Sequence, residues 1–552
     1  MLTSRIISSL DKCFLNSMPE DFAELKQISA LRGERLSYQY VCRNTASDAP
    51  HRLRCAVKLE GDMAEFATVR TVEHTPSQMP VYPPPRPSDD DYLTKEPGLF
   101  PDRLEPADQC GVPVCSHQTR ALWITVDIPA DAAAGEHVLT LILRDGDTIL
   151  DSVALTVNVI AATLPEQAMS VTQWFHCDCL ASYYRVPVFS EEHWCIIEDF
   201  ARTAVRNGIN TLLTPLFTPP LDTAIGHERP TVQLVGVTKK GGKYSFDYSL
   251  LDRWIDMCDR IGIKNFEINH LFTQWGAAAA PKVMATVDGE YRRIFGWDTP
   301  ASVGEYPEFL RVFLPDFIAH MKVRGDDKRC IFHISDEPNA KNLEQYTASR
   351  STVADLLEGY TTMDALSNLA FWEQGVVKTP VVSTHHIHSF IDAGVPDLWA
   401  YYCCTQGKPV SNRFFAMSGA RTRSIGLQFY KYNIVGFLQW GYNFYYDQGS
   451  YNLVDPYSDS TGNYFTPSGD TYSVYPAPDG TAYESLRIVQ FHEALQDVRT
   501  LALCERLCGR EATLAALEQL CGEIRFDRCI CDSAKMIAVR ETINKMIENT
   551  IK

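Results

Sequence analysis

Cys330-Ile331-Phe332-His333-Ile334-Ser335-Asp336-Glu337-Pro338 is an apolar run that ends in two adjacent acids, and its reading decides the fold. A helix-like segment, Tyr306 to Met321, precedes it and another, Lys341 to Glu358, follows, so strand and helix alternate as in a parallel sheet. The run reads as a buried strand. In such folds chemistry gathers at the carboxyl ends of the strands. Pro338 donates nothing to a sheet ladder and disfavours helix at Glu337, so the acids stand where the strand must stop. Asp336 and Glu337 are therefore site candidates, against the plainer reading that they open a loop or cap the next helix.

Outward from this strand the same period recurs. Val171 to Phe175, Asn210 to Thr214, Asn265 to Asn269, Thr361 to Leu366, Val381 to Thr384, Leu398 to Cys403 and Val435 to Trp440 read as strands. Glu191 to Arg206, Tyr248 to Ile261 and Arg413 to Tyr432 read as helices. Eight strands with intervening helices or loops predict a (β/α)8 TIM-like barrel over 166–500, with the Asp336 strand as its fourth member. Before it, residues 1–165 show short alternating strands separated by turns such as Asp145-Gly146-Asp147, which predicts an antiparallel β-sandwich. Pro80 to Pro113, rich in proline and acid, reads as a long loop over one end of that sandwich, placed to wall a site in the next domain. Residues 501–552 read as an appended helical segment.

Composition narrows the function. At 552 residues the chain exceeds one hydrophobic core, and 45% hydrophobic with 22% charged residues is ordinary for globular proteins. A net charge of -18 without a Lys/Arg-rich run argues against nucleic acid or an anionic membrane as partner. Asp11 and Lys12 interrupt the first apolar stretch before a signal-peptide core forms, and no 18 consecutive apolar residues occur. Seventeen cysteines, many in core-like segments, suit a reducing cytoplasm. Their close pairs, such as Cys403/Cys404 and Cys529/Cys531, lack the C-x2-C spacing of a zinc ribbon. No metal or other cofactor is expected.

Polar and aromatic residues recur just past the strand ends: Trp174 and His176, Asn269 and His270, His385, Tyr401 and Tyr402, then Trp440, Tyr442 and Asn443. One such residue is more often core than site, but the enrichment repeats at five strand ends. Aromatic faces with scattered polar groups suit a sugar, whose C–H patches stack while its hydroxyls hydrogen-bond. Trp372 and Asp470 join these as candidate substrate contacts. His385-His386 as metal ligands would need a third ligand at a recognisable spacing.

The chain also resembles glycoside hydrolase family 123, the β-N-acetylgalactosaminidases. The resemblance rests on the order of several motifs. In the sandwich these are Ala30-Leu31-Arg32-Gly33-Glu34 and Trp123-Ile124-Thr125-Val126-Asp127-Ile128-Pro129. Ser335-Asp336-Glu337-Pro338, Gly436-Phe437-Leu438-Gln439-Trp440-Gly441, Gly469-Asp470, Tyr475-Pro476 and Ser485-Leu486-Arg487 follow. His492 and Ala494 depart from the Arg and Gly expected in the closing helix. The resemblance implies hydrolysis with retention in which the substrate's own 2-acetamido group is the nucleophile. It implies Glu337 as general acid, later base, and Asp336 as the residue that orients the acetamido group. The residues permit this: at a strand-to-loop bend, neighbouring side chains can face one pocket. The ordinary retaining mechanism needs a carboxylate nucleophile about 5–5.5 Å from the acid. Glu267, Glu373 and Asp397 are the candidates, and each reads more simply as a cap, core-pair or surface group.

The expectation is an exo-acting β-N-acetylgalactosaminidase acting on β-GalNAc-terminated glycan or glycolipid fragments. Its rivals are a β-N-acetylglucosaminidase or other barrel glycosidase, and a non-catalytic carbohydrate-binding or scaffold protein. Adjacent acids repel and cost stability unless used, which speaks against the last.

Overall fold

The computed structural model describes residues 2–45, 52–86, 88–107 and 111–552. Two five-stranded sheets come first. One is antiparallel throughout, in the order Leu2–Ser8, Arg35–Asn44, Thr119–Asp127, Ala67–Ser77, Gly98–Pro106. The other runs Gln27–Arg32, Thr148–Thr163, Gly135–Asp145, Arg52–Glu60, Val112–Cys115. Its first two strands pair in parallel, so the expected antiparallel arrangement has one parallel edge. Alternation builds the core between the sheets: Tyr38, Tyr40 and Cys42 and Leu122, Ile124 and Val126 meet Leu139, Leu141 and Leu143 and Leu155, Val157 and Val159.

Pro80 to Pro113 is not one long loop, because Gly98–Pro106 and Val112–Cys115 are strands. An acid at an inward position hides the first of them in the sequence: Phe100, Asp102 and Leu104 share its buried face. Asp102 is buried as the partner of Arg487, at 2.8 and 2.9 Å. Pro87 and residues 108–110 of this stretch lie outside the described residues. The part that remains a loop leans on the second unit. Asp89 accepts from Arg421 at 2.8 and 2.9 Å, and Tyr92 donates to Gly407 O at 2.6 Å.

That second unit is a closed barrel of eight parallel strands in chain order. They are β1 (Ser170–Gln173), β2 (Thr211–Thr214), β3 (Asn265–Ile268), β4 (Cys330–His333), β5 (Thr361–Leu366), β6 (Thr379–Ser383), β7 (Trp399–Tyr401) and β8 (Gly436–Gln439). Apolar pairs such as Leu212-Leu213, Val381-Val382 and Phe437-Leu438 are buried whole, as strands covered on both faces must be. Gly436 permits the closure, since a Cβ there would stand 2.0 Å from the Trp399 ring. A helix follows every strand, among them Glu191–Arg206, Ser249–Ile261 and Glu305–Arg324. The helix expected over Lys341 to Glu358 spans Leu343–Ser351, and that over Arg413 to Tyr432 divides into Gly419–Arg423 and Ile425–Lys431. The Arg413 guanidinium donates to Gln173 Oε1 at 2.7 Å, to Asp470 O at 3.0 Å and to Gln439, which draws the preceding segment into the barrel mouth instead.

The chain closes with helices Leu486–Cys508, Arg510–Cys521 and Ser533–Ile551. Leu501, Leu517, Met536 and Ile543 share a core with Leu31 and Ile160 of the sandwich and Leu427 of the barrel, so these helices fill the angle between the two. Among the described residues no helix is long and apolar enough to cross a membrane, and no three His, Cys, Asp or Glu side chains form a metal-ligating group.

Candidate active site

The end of β4 is held from three sides. Asp364, on β5, accepts the Ile334 and Ser335 N–H groups through Oδ1 at 2.9 and 3.1 Å. Ser335 Oγ donates to Thr273 O at 2.8 Å, and Trp275 N–H to Asp336 O at 2.8 Å. Pro338 then closes the helical option to Glu337, whose backbone turns to a φ of 42°. This left-handed residue breaks the strand alternation, and both carboxyls face one cleft of about 180 Å³. Trp174, Asp222, Trp275, Tyr401, Cys403, Cys404, Trp440 and Phe465 also line it. Tyr82 donates to Phe465 O at 3.3 Å, so the sandwich loop stands behind one wall.

Three carboxylates thus share the cleft with little to neutralise them. Tyr401 donates its hydroxyl to Glu337 Oε1 at 2.8 Å, and burial, then the Glu337 charge, keep that hydroxyl protonated far above its ordinary range. Burial, then the charges of Glu337 and Asp222, hold the Asp336 carboxyl well above the usual carboxylate range. Asp222 is pushed up to about 7 by burial, with Arg229 opposing and Glu337 adding to the shift.

Beneath them lies a layer of paired charges. His333 Nε2 meets Glu267 Oε1 at 2.6 Å, and its Nδ1 faces Asp364 Oδ1 at 3.5 Å. Those carboxylates raise His333 to about 9 against the opposing cost of burial, so it is an imidazolium. Trp174 Nε1 donates to Glu267 Oε1 at 2.7 Å, which fixes the indole at the cleft floor. His270 stacks on His333 at 4.3 Å and stays neutral, driven well below its ordinary value by burial and by the neighbouring cation.

Of the residues expected at strand ends, Trp174, Tyr401 and Trp440 line the cleft together with Asp336 and Glu337. Six others lie one layer behind it. Asp470 accepts Trp440 Nε1 at 2.8 Å and orients that ring. His176 bonds Trp440 O at 3.0 Å through Nε2 and is depressed to about 3 by burial and Arg229. Asn443 clamps the His176 backbone, accepting its N–H at 2.8 Å and donating to its carbonyl at 3.1 Å. Asn269 accepts Phe217 N–H at 3.2 Å, His270 is buried, and Tyr402 is turned away from Tyr401 against Phe437. Tyr442 points outward to Phe200 O at 2.8 Å. Trp372, on the short helix Ala370–Glu373, and His385, exposed and bonded to Lys408 O at 2.9 Å, stand apart from the cleft. Glu267 is the core partner of His333, and Glu373 and Asp397 are exposed.

Asp222 and Phe465 are cleft residues that sequence reading passed over. The signal for Asp222 was present in the breaker-rich Thr218-Pro219-Pro220-Leu221-Asp222 after β2, a loop at a strand's carboxyl end that carries an acid. Phe465 sits in a turn-rich segment without period, 25 residues beyond Trp440 in sequence, and nothing local marks it.

A structure of a family 123 glycoside hydrolase from Clostridium perfringens, described for glycolipid glycan hydrolysis, superposes with a TM-score of 0.69 at 15% identity. That match covers 100% of this chain and 97% of the other, and it speaks to the fold. A family 39 glycoside hydrolase from Bacteroides cellulosilyticus WH2 (TM-score 0.30, 9% identity, 84% and 81% covered) is too distant to bear on function. So is a Ruminococcus gnavus beta-glucuronidase (TM-score 0.30, 9% identity, 88% and 71% covered). No match is found among curated proteins. The profile of the glycoside hydrolase 123 catalytic domain matches residues 174–504, which take in every barrel strand but β1 and all the acids of the cleft, so the chain belongs to glycoside hydrolase family 123.

Proposed function

We propose that the protein is an exo-acting β-N-acetylgalactosaminidase built on a (β/α)8 barrel, which removes terminal β-GalNAc from glycan or glycolipid fragments in the cytoplasm. The observation that carries this reading is the pair Asp336 and Glu337 on one small cleft, the carboxyl of the first without a hydrogen-bond donor among the described residues and that of the second held by Tyr401. A cleft of about 180 Å³ suits a single terminal ring, and the floor indole of Trp174 and the wall indole of Trp440 offer it aromatic faces. A reducing compartment suits described cysteines that are all free.

In this mechanism Glu337 gives its proton to the glycosidic oxygen while the acetamido carbonyl oxygen attacks the anomeric carbon. Asp336 accepts the acetamido N–H. Burial and then the neighbouring acids make Asp336 costly to ionise, and the N–H and the positive charge growing on the oxazolinium supply the partner it lacks. Glu337, now a carboxylate, takes a proton from the water that opens the intermediate, and two inversions give retention.

The test joins Asp336→Asn with the sugar's 2-substituent. A 2-hydroxy substrate lacks the internal nucleophile and reacts poorly with the wild type. Asp336→Asn then damages turnover of the 2-acetamido glycoside severely and adds little further loss on the 2-hydroxy one, because both changes remove the same interaction. Equal damage to both substrates, or a covalent adduct trapped with a 2-fluoro glycoside, overturns substrate assistance.

A further inference from the structure

Asp222 is built into the cleft in a way that its neighbours do not explain. It follows β2 in a loop fixed by Asn269, whose Oδ1 accepts Phe217 N–H at 3.2 Å. Its backbone has a φ of 46°, in the left-handed region. Two clamps hold it there: its N–H donates to Gln274 Oε1 at 2.7 Å, and Ser450 Oγ donates to its carbonyl at 2.8 Å. Those contacts come from different loops, so the residue's position is set by the fold around the cleft rather than by its own segment.

The carboxylate is the opposite of its backbone. Among the described residues no side chain or backbone N–H donates to it, although it stands half-buried in the cleft beside two other acids. The cation near it, Arg229, has its donors engaged elsewhere. Arg229 gives a bidentate pair to Asp178 at 2.7 and 2.8 Å, bonds Leu221 O at 3.1 Å and reaches His176 Nδ1 at 3.2 Å. A half-buried carboxylate without a donor, held on a left-handed backbone, costs stability twice, and such features persist where a ligand supplies the missing donors. In a glycosidase cleft the available donors are sugar hydroxyls, and a carboxylate's two oxygens match hydroxyls on neighbouring carbons.

We propose that Asp222 is a specificity-determining residue that accepts hydrogen bonds from hydroxyls of the terminal sugar ring. This rests on the glycosidase reading above. It gives the loop after β2 a defined task, recognition of the ring, while the end of β4 carries the chemistry.

Deoxygenated substrates test it. Asp222→Ala and the shape-keeping Asp222→Asn are assayed on an aryl β-GalNAc glycoside and on its 3-, 4- and 6-deoxy analogues, with melting temperature as the check on folding. On the parent, Asp222→Ala lowers kcat/KM roughly 10- to 100-fold, the worth of a hydrogen bond to a charged group. On the analogue lacking the gripped hydroxyl the wild type has already lost that factor, and the substitution adds little. On the others the full loss persists. Equal losses on every analogue by a variant that remains folded overturn the inference, as does a 2-fluoro glycoside adduct on Asp222, which would make it a nucleophile. If alanine unfolds the protein, the same comparison is read from Asp222→Asn. A wild type that turns over none of these glycosides overturns the β-N-acetylgalactosaminidase reading, and this inference with it.

Discussion

The floor and the rim of the cleft hold similar charges under opposite terms. On the floor Glu267 and Asp364 are fully buried, yet each meets His333 and at least two neutral donors. At the rim the carboxyls of Asp222, Asp336 and Glu337 have one hydrogen bond between them from the described residues, that of Tyr401. Buried charges with partners hold a structure together, whereas buried charges without them raise its energy and mark where a ligand must complete the set. The two layers are separated by no more than Ile334 and Ser335 on the same strand end.

The largest expected effect breaks the rim at its proton donor. Glu337→Gln lowers the rate on substrates with poor leaving groups by about 10²–10⁴, the worth of a positioned general acid, and spares activated aryl leaving groups. Steady-state rates across a leaving-group series read this out, and a uniform loss would make Glu337 structural.

Next, the floor. Glu267→Gln leaves the His333 imidazolium short of a counter-charge and costs roughly 3 kcal/mol of stability by urea unfolding. The pH dependence changes with it. His333 is raised to about 9, so its contribution is fully present below the unfolded value near 6.5 and is lost as pH rises to about 9. The variant flattens that decline. An unchanged slope would mean that the cation is held by other groups.

The smallest effect sharpens the contrast, because neutralising a rim acid stabilises. The folded-state elevation of Asp336 means that its contribution is fully present below the unfolded value near 4 and is lost as pH rises through the folded one. Asp336→Asn therefore melts like the wild type at low pH and increasingly above it toward pH 8, by about 1.4 kcal/mol for each pKa unit removed. A variant less stable than wild type at pH 8 would place Asp336 among the floor residues.

The barrel was largely legible. Thr361–Leu366 is the strand read from the sequence, and the others shift by one to three residues at an end, because apolar runs bounded by breakers survive in any context. The Gly98–Pro106 strand was not legible, since Asp102 occupies an inward position that the distant Arg487 neutralises. Strand-end position likewise marked Asn269 and His270, and a motif marked Asp470, without telling that they lie one layer behind the cleft. Strand-end position marked His385, which precedes a short helix, and Trp372, also a candidate, lies on another; neither lines the cleft.

By itself the sequence determined the alternation of strand and helix, the sandwich before it, and an acid pair stopped by Pro338 at the end of β4, because these depend on period and on local backbone chemistry. Tertiary structure alone decided which acids have partners. Glu267 is matched to His333 across 66 positions, Asp364 to the β4 end across about 30, and Asp222 comes to face Glu337 from a loop more than a hundred residues earlier, its carboxyl without a donor among the described residues. Desolvation and hydrogen bonding set the energy of a carboxylate, and both are properties of its neighbours in space rather than its neighbours in the chain.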